Sequence, residues 1–277
     1  MNAHAPASVL AETLNHLPAL PEVASEILTR LNDEFVTGKQ VAEVVGKDPG
    51  ISARLVALAN SAYFGLSEPV GNLEQVVNRV LGVDNVRSLA LALAAGHVLD
   101  TSSCDGFNTR RFWENALLMA DATARIVADE KKATQADKDL AYQTGLCHNI
   151  GLLALAALKP EMTSDILSLR DAEPDAKKAL APLLRAAFGV DHRELTHAVA
   201  CAWKLPEASV LAFEPVSTSS SMLHYALDVA RMAVADPIEP TVAPDQQDDR
   251  LSVAEAIAPS ARYRQRVAAM VEGISAD

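Results

Sequence analysis

The residues best suited to chemistry are His148 and Asn149, which are adjacent in an apolar segment between Gly145 and Gly151. An imidazole beside a carboxylate can hold a divalent metal, and a bound metal lowers the pKa of water enough for hydrolysis. Asn149 offers only a neutral carbonyl oxygen, a weak ligand that does not offset the charge of a cation. The segment thus has the form of a metal-binding His-Asp-Ile-Gly motif that has lost its carboxylate.

Other chemical motifs are missing from the sequence. It contains no phosphate-binding loop, no dinucleotide-binding glycine pattern and no G-x-S-x-G nucleophile motif. The three cysteines, Cys104, Cys147 and Cys201, are odd in number and widely spaced. This spacing predicts buried, reduced thiols in a cytoplasmic protein and not a disulfide framework.

Composition restricts the fold and the partners. Of 277 residues, 49% are hydrophobic, but only 6 Phe, 4 Tyr and 2 Trp are aromatic. An apolar content dominated by Ala, Leu and Val favours packed helices. The 24 basic and 36 acidic side chains give a net charge of −12, which opposes binding to a nucleic-acid backbone.

No segment predicts contact with a membrane. The apolar runs Val86–Leu99 and Gly145–Leu158 are about 14 residues long, too short to cross a bilayer, and are interpreted as buried helices. The first residues lack the basic start and apolar stretch of a signal peptide. We therefore expect a cytoplasmic protein.

Helix-capping patterns recur along the chain and predict an all-α fold, since no alternating strand of useful length occurs. Helices are also predicted over 222–235 and 251–273, and a mobile loop over 236–250, which has three prolines and an acidic run. The predicted caps are Thr37 with Gln40, Asp48 before Pro49, Asn72 with Gln75, Thr134 with Asp137, and Asp191 with Glu194.

Residues 17–213 resemble the HD-related output domain (HDOD) family, a non-catalytic relative of the HD and HD-GYP metal-dependent phosphohydrolases. Each motif is short, but their order and spacing together are specific. The motifs are Leu17-Pro-Ala-Leu-Pro-Glu-Val, Pro49-Gly-Ile-Ser-Ala-Arg-Leu-Val, Ala59-Asn-Ser-Ala-Tyr-Phe-Gly, Val77-Asn-Arg-Val-Leu-Gly, Phe112-Trp-Glu-Asn, the His148 segment, Phe188-Gly-Val-Asp-His-Arg-Glu-Leu and Trp203-Lys-Leu-Pro.

The resemblance implies a multi-helix HDOD fold in which an N-terminal bundle packs on a degenerate HD-like core. The expected organisation is an N-terminal leader (1–16), an HDOD domain (17–213) made of the bundle (17–105) and the core (106–213), and a C-terminal helical extension (214–277).

The resemblance also implies that the ancestral metal site is degenerate. Asn115 stands where catalytic relatives have histidine, Asn149 replaces their aspartate, and His148 and His192 match retained family histidines. A later histidine pair falls near Phe213 and Glu214, a glycine expected after His192 is Thr196, and Asp228 is a candidate final ligand whose register is not fixed. We expect no catalytic residue, metal or cofactor.

Each of these residues also has a purely structural interpretation. His148 is expected to be a hydrogen-bonded core histidine, and His192 to serve helix entry. Asn115 and Asn149 are expected to bond each other or nearby backbone. Trp113 and Trp203 are expected in the core.

The resemblance implies a bacterial signal-transduction module that acts through contacts with unidentified signalling proteins, and self-association into a homo-oligomer stays open. One alternative is a residual metal-dependent phosphohydrolase. Another is a helix-turn-helix DNA-binding regulator, because residues 41–56 contain two short predicted helices around a glycine turn.

We predict that the protein does not bind duplex DNA specifically, because the helix after Pro49 offers few basic side chains in an acidic chain. Fluorescence anisotropy with genomic fragments at physiological salt tests this. Sequence-selective binding below micromolar concentration would contradict it.

Overall fold

A computed structural model describes residues 6–30, 36–171, 180–214, 221–234 and 249–275. These ranges contain helices and no strand, so the predicted all-α fold is confirmed. The helices are α1 (Pro6–Asn15), α2 (Glu22–Arg30), α3 (Gly38–Val45), α4 (Pro49–Ala59), α5 (Leu73–Gln75) continued by a π-helical segment (Val76–Leu81), α6 (Val83–Val98), α7 (Thr109–Ala128), α8 (Gln135–Leu146), α9 (Ile150–Leu158), α10 (Pro160–Asp171), α11 (Leu180–Phe188), α12 (His192–Ala202), α13 (Glu207–Ala212), α14 (Met222–Val234), α15 (Asp249–Ile257) and α16 (Ala261–Ser275).

The predicted caps start the helices as expected. The side chain of Thr37 accepts from the backbone N–H of Gln40, whose side chain accepts from the Thr37 N–H, a complete capping box. Asp48 accepts from the Ile51 N–H at 3.0 Å. Asn72 caps α5, and complete boxes begin α8 and α12. These bonds satisfy N–H groups that have no partner within the helix.

Two predicted helices are interrupted. The apolar run 145–158 is not one helix, because α8 ends at Leu146 and a three-residue turn precedes α9. The predicted helix 251–273 is divided between α15 and α16 around Pro259, which has no N–H to donate and disfavours helical backbone before it. Of the predicted loop 236–250, residues 236–248 lie outside the described ranges, whereas 249–250 belong to α15.

The buried apolar side chains form one contiguous core. In its centre, α7 packs against α8, α14 and α16, while α9 packs against α12. Helix α1, in the predicted leader, packs against α9, α11 and α12. Trp113 and Trp203 are buried as predicted, and the Trp203 indole N–H donates to the Pro18 carbonyl at 3.0 Å. In the described residues, no helix is long and apolar enough to cross a membrane.

Glycines allow helices to approach closely on both sides of the turn at 147–149. A Cβ at Gly145 would lie 2.6 Å from the Met119 carbonyl oxygen of α7. A Cβ at Gly151 would lie 2.3 Å from the His192 carbonyl oxygen of α12 and 2.4 Å from the Thr196 nitrogen. The close approach at both glycines holds the turn between α7 and α12.

We predict that Gly151→Ala destabilises the fold by about 1–3 kcal/mol, because the new methyl group would overlap rigid backbone. Equilibrium denaturant unfolding measures this loss. Gly71→Ala is the matched control, since a Cβ there meets nothing within 4 Å. Equal stability of the Gly151→Ala variant and the wild type would contradict the described helix crossing.

Candidate functional site

His148 lies in the turn between α8 and α9, with 1% of its surface exposed. Its Nδ1 is 2.8 Å from the Gly145 carbonyl oxygen, which can only accept a hydrogen bond. Nδ1 therefore carries the proton in the neutral ring, and Nε2 presents its lone pair. This geometry confirms the interpretation of His148 as a hydrogen-bonded core residue.

Asn115, on α7, faces that lone pair. Its Nδ2 lies 3.5 Å from the His148 Nε2, so the amide N–H donates a long hydrogen bond to the ring nitrogen. The prediction that Asn115 bonds with Asn149 or nearby backbone is wrong. The Asn115 amide bonds with the imidazole, because α7 and α8 approach closely at Gly145.

Asn149 and His192 are held at the neighbouring contact of α9 with α12. Asn149 precedes α9, is 1% exposed and makes no side-chain cap bond. The Gly151 N–H of α9 instead donates to the Thr196 hydroxyl at 3.0 Å, and that hydroxyl donates to the His192 carbonyl at 2.8 Å. Thr196 therefore gives the start of α9 a partner from another helix, a role that the sequence did not reveal.

His192 is fully buried as the first residue of α12. The preceding residue, Asp191, caps this helix by accepting from the Arg193 and Glu194 N–H groups, and its carboxylate also pairs with Arg185 at 2.5 Å. Burial disfavours the Asp191 charge, but the Glu194 N–H and the Arg185 guanidinium outweigh it and hold the pKa of Asp191 below its usual range. The Asp191 carboxylate, next to His192, therefore stabilises the start of α12.

The other positions suggested by the resemblance have structural contacts. Phe213 is buried at the end of α13, where its N–H bonds to the Ser209 carbonyl. Asp228, on α14, pairs with Arg231 at 3.0 Å and lies 3.7 Å from the His224 Nε2. Neither residue adds a metal ligand to the site that contains Asn115 and His148.

The donor chemistry of Asn115, His148, Asn149 and His192 does not fit a hydrolytic metal centre. Two of the four are neutral amides, and the His148 Nε2 faces an N–H donor. Throughout the described ranges, no three His, Cys, Asp or Glu side chains converge as a metal site would require. A divalent cation would lose its hydration here without gaining an anionic ligand.

Two features outside the site bear on the sequence predictions. Cys104 and Cys147 are buried free thiols, and burial raises the pKa of Cys147 to about 12. The prediction of burial is wrong for Cys201, whose free thiol is exposed. In the segment considered as a helix-turn-helix, α4 packs against α16. Asn60, which directly follows α4, donates to the Val70 carbonyl and accepts from the Val70 N–H.

The described helices agree with a comparison of the whole sequence. The sequence model of the HDOD domain family matches residues 17–217. The chain belongs to the HDOD family. This confirms the resemblance and extends its C-terminal bound by four residues beyond position 213.

One curated protein matches most of this chain. An uncharacterised protein of Treponema pallidum (strain Nichols) is 27% identical over 206 residues, which are 73% of this chain but 37% of that protein. The HDOD chain therefore spans little more than a third of the length of that curated relative.

Solved structures at lower identity establish the fold. A candidate signal transduction protein of Marinobacter aquaeolei VT8 is 22% identical with a TM-score of 0.82, covering 98% of this chain and 66% of the other. An HDOD domain protein of Geobacter sulfurreducens with unknown function is 20% identical with a TM-score of 0.69, covering 94% and 96%. A candidate phosphohydrolase of Shewanella amazonensis SB2B is 24% identical with a TM-score of 0.67, covering 97% and 98%.

We predict that His148→Ala destabilises the protein by about 1–3 kcal/mol, because the Gly145 carbonyl and the Asn115 amide lose a buried partner. Denaturant unfolding monitored by circular dichroism measures the change. His97→Ala is the control, since His97 is exposed on α6. A His148→Ala variant as stable as the control would contradict the structural role.

Proposed function

We propose that this HDOD chain is a non-catalytic signalling module that acts by binding other proteins. The observation that carries the proposal is the donation from the Asn115 amide to the His148 Nε2. In a working centre that lone pair would be directed at a metal. Here it is used in a neutral hydrogen bond inside the core.

The requirements of hydrolysis support the absence of catalysis. Phosphoester cleavage by a two-metal centre needs cations that stabilise both the attacking and the leaving oxygen. Asn115 and Asn149 cannot supply the charge that holds such cations, and Asp191 is already engaged as a helix cap. We therefore assign a structural role to the His148 site.

Two exposed apolar side chains on α10, together called the stripe below, support binding to a partner. Met162 and Leu169, seven residues apart, lie on the same side of this helix and are 43% and 64% exposed. The intervening Ile166 and Leu167 are buried and anchor the helix. We propose this stripe as part of the contact surface, and the free cysteines support a cytoplasmic setting.

Residual phosphohydrolysis is the second candidate function, and the retention of His148 and His192 favours it. It would need a third, anionic ligand. DNA binding is the weaker candidate, since α16 packs against one face of α4, the helix that would enter the major groove.

We predict that the purified, untagged protein carries no stoichiometric divalent metal and shows no turnover above background. Elemental analysis, together with phosphatase and phosphodiesterase assays in added Mn²⁺ or Fe²⁺, tests this. His148→Ala is the paired variant and should match the wild type in both assays. One equivalent of metal and turnover, both lost in His148→Ala, would establish the phosphohydrolase instead.

The positive arm of this experiment is capture of partners from native lysate with immobilised wild-type protein. Leu169→Glu should abolish retention of a specific partner because it places a charge in the stripe. Leu211→Glu is the control, since Leu211 is 39% exposed on α13. Retention of every captured protein by Leu169→Glu, or no specific capture by the wild type, would contradict binding through α10.

A further inference from the structure

A cavity of about 210 Å³ lies among side chains from α6, α7, α8 and α16. None of the four degenerate-site residues lines it. Its volume is below the roughly 300 Å³ at which pockets for drug-sized ligands begin. The side chains that give it chemical character are Tyr63, Phe64, Asn85, Asp121, Tyr142 and Tyr263.

Four aromatic rings from three separate parts of the chain line this cavity. The Tyr63 ring packs edge-on against Phe64 at 4.7 Å and against Tyr263, from α16, at 6.1 Å between centroids. Tyr142 contributes a partly buried ring from α8. The chain has only 10 Phe and Tyr residues, 6 and 4 respectively. Three of the four tyrosines line this cavity.

One carboxyl group gives the cavity its charge. Asp121, on α7, is the only ionisable carboxyl among the lining residues, and no Lys, Arg or His lines the cavity. The Tyr263 hydroxyl lies 3.3 Å from the Tyr63 hydroxyl, and both phenols line the cavity beside Asp121.

The charge of Asp121 is only partly compensated. The nearest guanidinium nitrogen, on Arg125, is 3.7 Å from its carboxylate oxygen, which is long for a hydrogen bond. Burial raises the pKa of Asp121 even though Arg125 and the Tyr263 hydroxyl act in the opposite direction. An additional positive charge in the cavity would therefore stabilise the carboxylate.

We propose that this cavity, defined by Tyr63, Tyr142, Tyr263, Phe64 and Asp121, binds a small organic cation of the ammonium class. Aromatic rings attract cations through their electron-rich faces, and ring-lined cages with a carboxylate recognise substituted ammonium groups. Tyr63 already interacts with one cation, since the Arg266 guanidinium lies 4.8 Å from its ring centroid. An anion would be repelled by Asp121, and a neutral ligand would leave the long contact with Arg125 as the balance for its charge.

Binding there would connect two parts of the chain. Tyr263 belongs to α16, which lies beyond the family match at 17–217. Asp121 belongs to α7, the helix that also carries Asn115. A bound cation would strengthen the docking of α16 on the HDOD core, which gives the module a small-molecule input independent of its protein partner.

Choline and its neutral isostere 3,3-dimethylbutan-1-ol are the probes for isothermal titration with the full chain. They have nearly the same shape and differ in charge. Choline should bind saturably, and the neutral isostere at least ten-fold more weakly. Asp121→Asn should weaken choline binding at least ten-fold, and Tyr263→Leu should do the same by removing one ring.

Asp129→Asn is the matched control, because it makes the same chemical change at the exposed end of α7 and should keep wild-type affinity. Thermal unfolding without ligand establishes that each variant is folded. The comparison of choline with its isostere needs no variant, so it stands even if Tyr263→Leu fails to fold. No saturable choline binding, equal affinity for the isostere, or undiminished affinity in folded Asp121→Asn would overturn the proposal.

Discussion

The hydrogen bond from the His148 Nδ1–H to the Gly145 carbonyl determines the chemistry of the site. It fixes the tautomer and the orientation of the imidazole, so that Nε2 is the atom left to accept a bond. The same arrangement would prepare a histidine to bind a metal. In this chain the acceptor meets the Asn115 amide. The hydrogen bond that would orient His148 as a metal ligand here orients it toward the buried Asn115 amide.

Neutral groups suit this position energetically. A carboxylate buried at Asn149 without a cation would pay a large desolvation cost, and its amide counterpart avoids most of that cost. The Thr196 hydroxyl has a comparable role, because it gives the buried Gly151 N–H an acceptor where α9 meets α12. The turn at 147–149 is therefore held in a packed core by glycine contacts and hydrogen bonds.

Sequence alone predicted the features that depend on neighbours along the chain. The capping boxes at Thr37 and Asp191 are confirmed because each is complete within four residues. The π-helical form of Val76–Leu81 was not predicted, since Asn72 and Gly82 mark only the ends of that segment.

Contacts between distant segments were beyond reach of the sequence. Thr196 registered only as a departure from a family glycine, although it bonds to a residue 45 positions away. Asp121 and Tyr263 meet only after α16 packs on α7, and no local spacing connects them. The family resemblance located Asn115, His148, Asn149 and His192 as former ligand positions, whereas their bonding partners required the arrangement of α7, α9 and α12.

The central claim is that His148 is a structural residue whose Nε2 accepts from the Asn115 amide and is not available to a metal. Long-range ¹H–¹⁵N NMR of histidine-labelled protein, titrated with Mn²⁺, tests it most directly, with His148 assigned by comparison with His148→Ala. The account predicts an Nδ1–H tautomer with an unprotonated Nε2, and His148 signals that one equivalent of Mn²⁺ leaves sharp. Selective broadening of the His148 and His192 signals at one equivalent would contradict it.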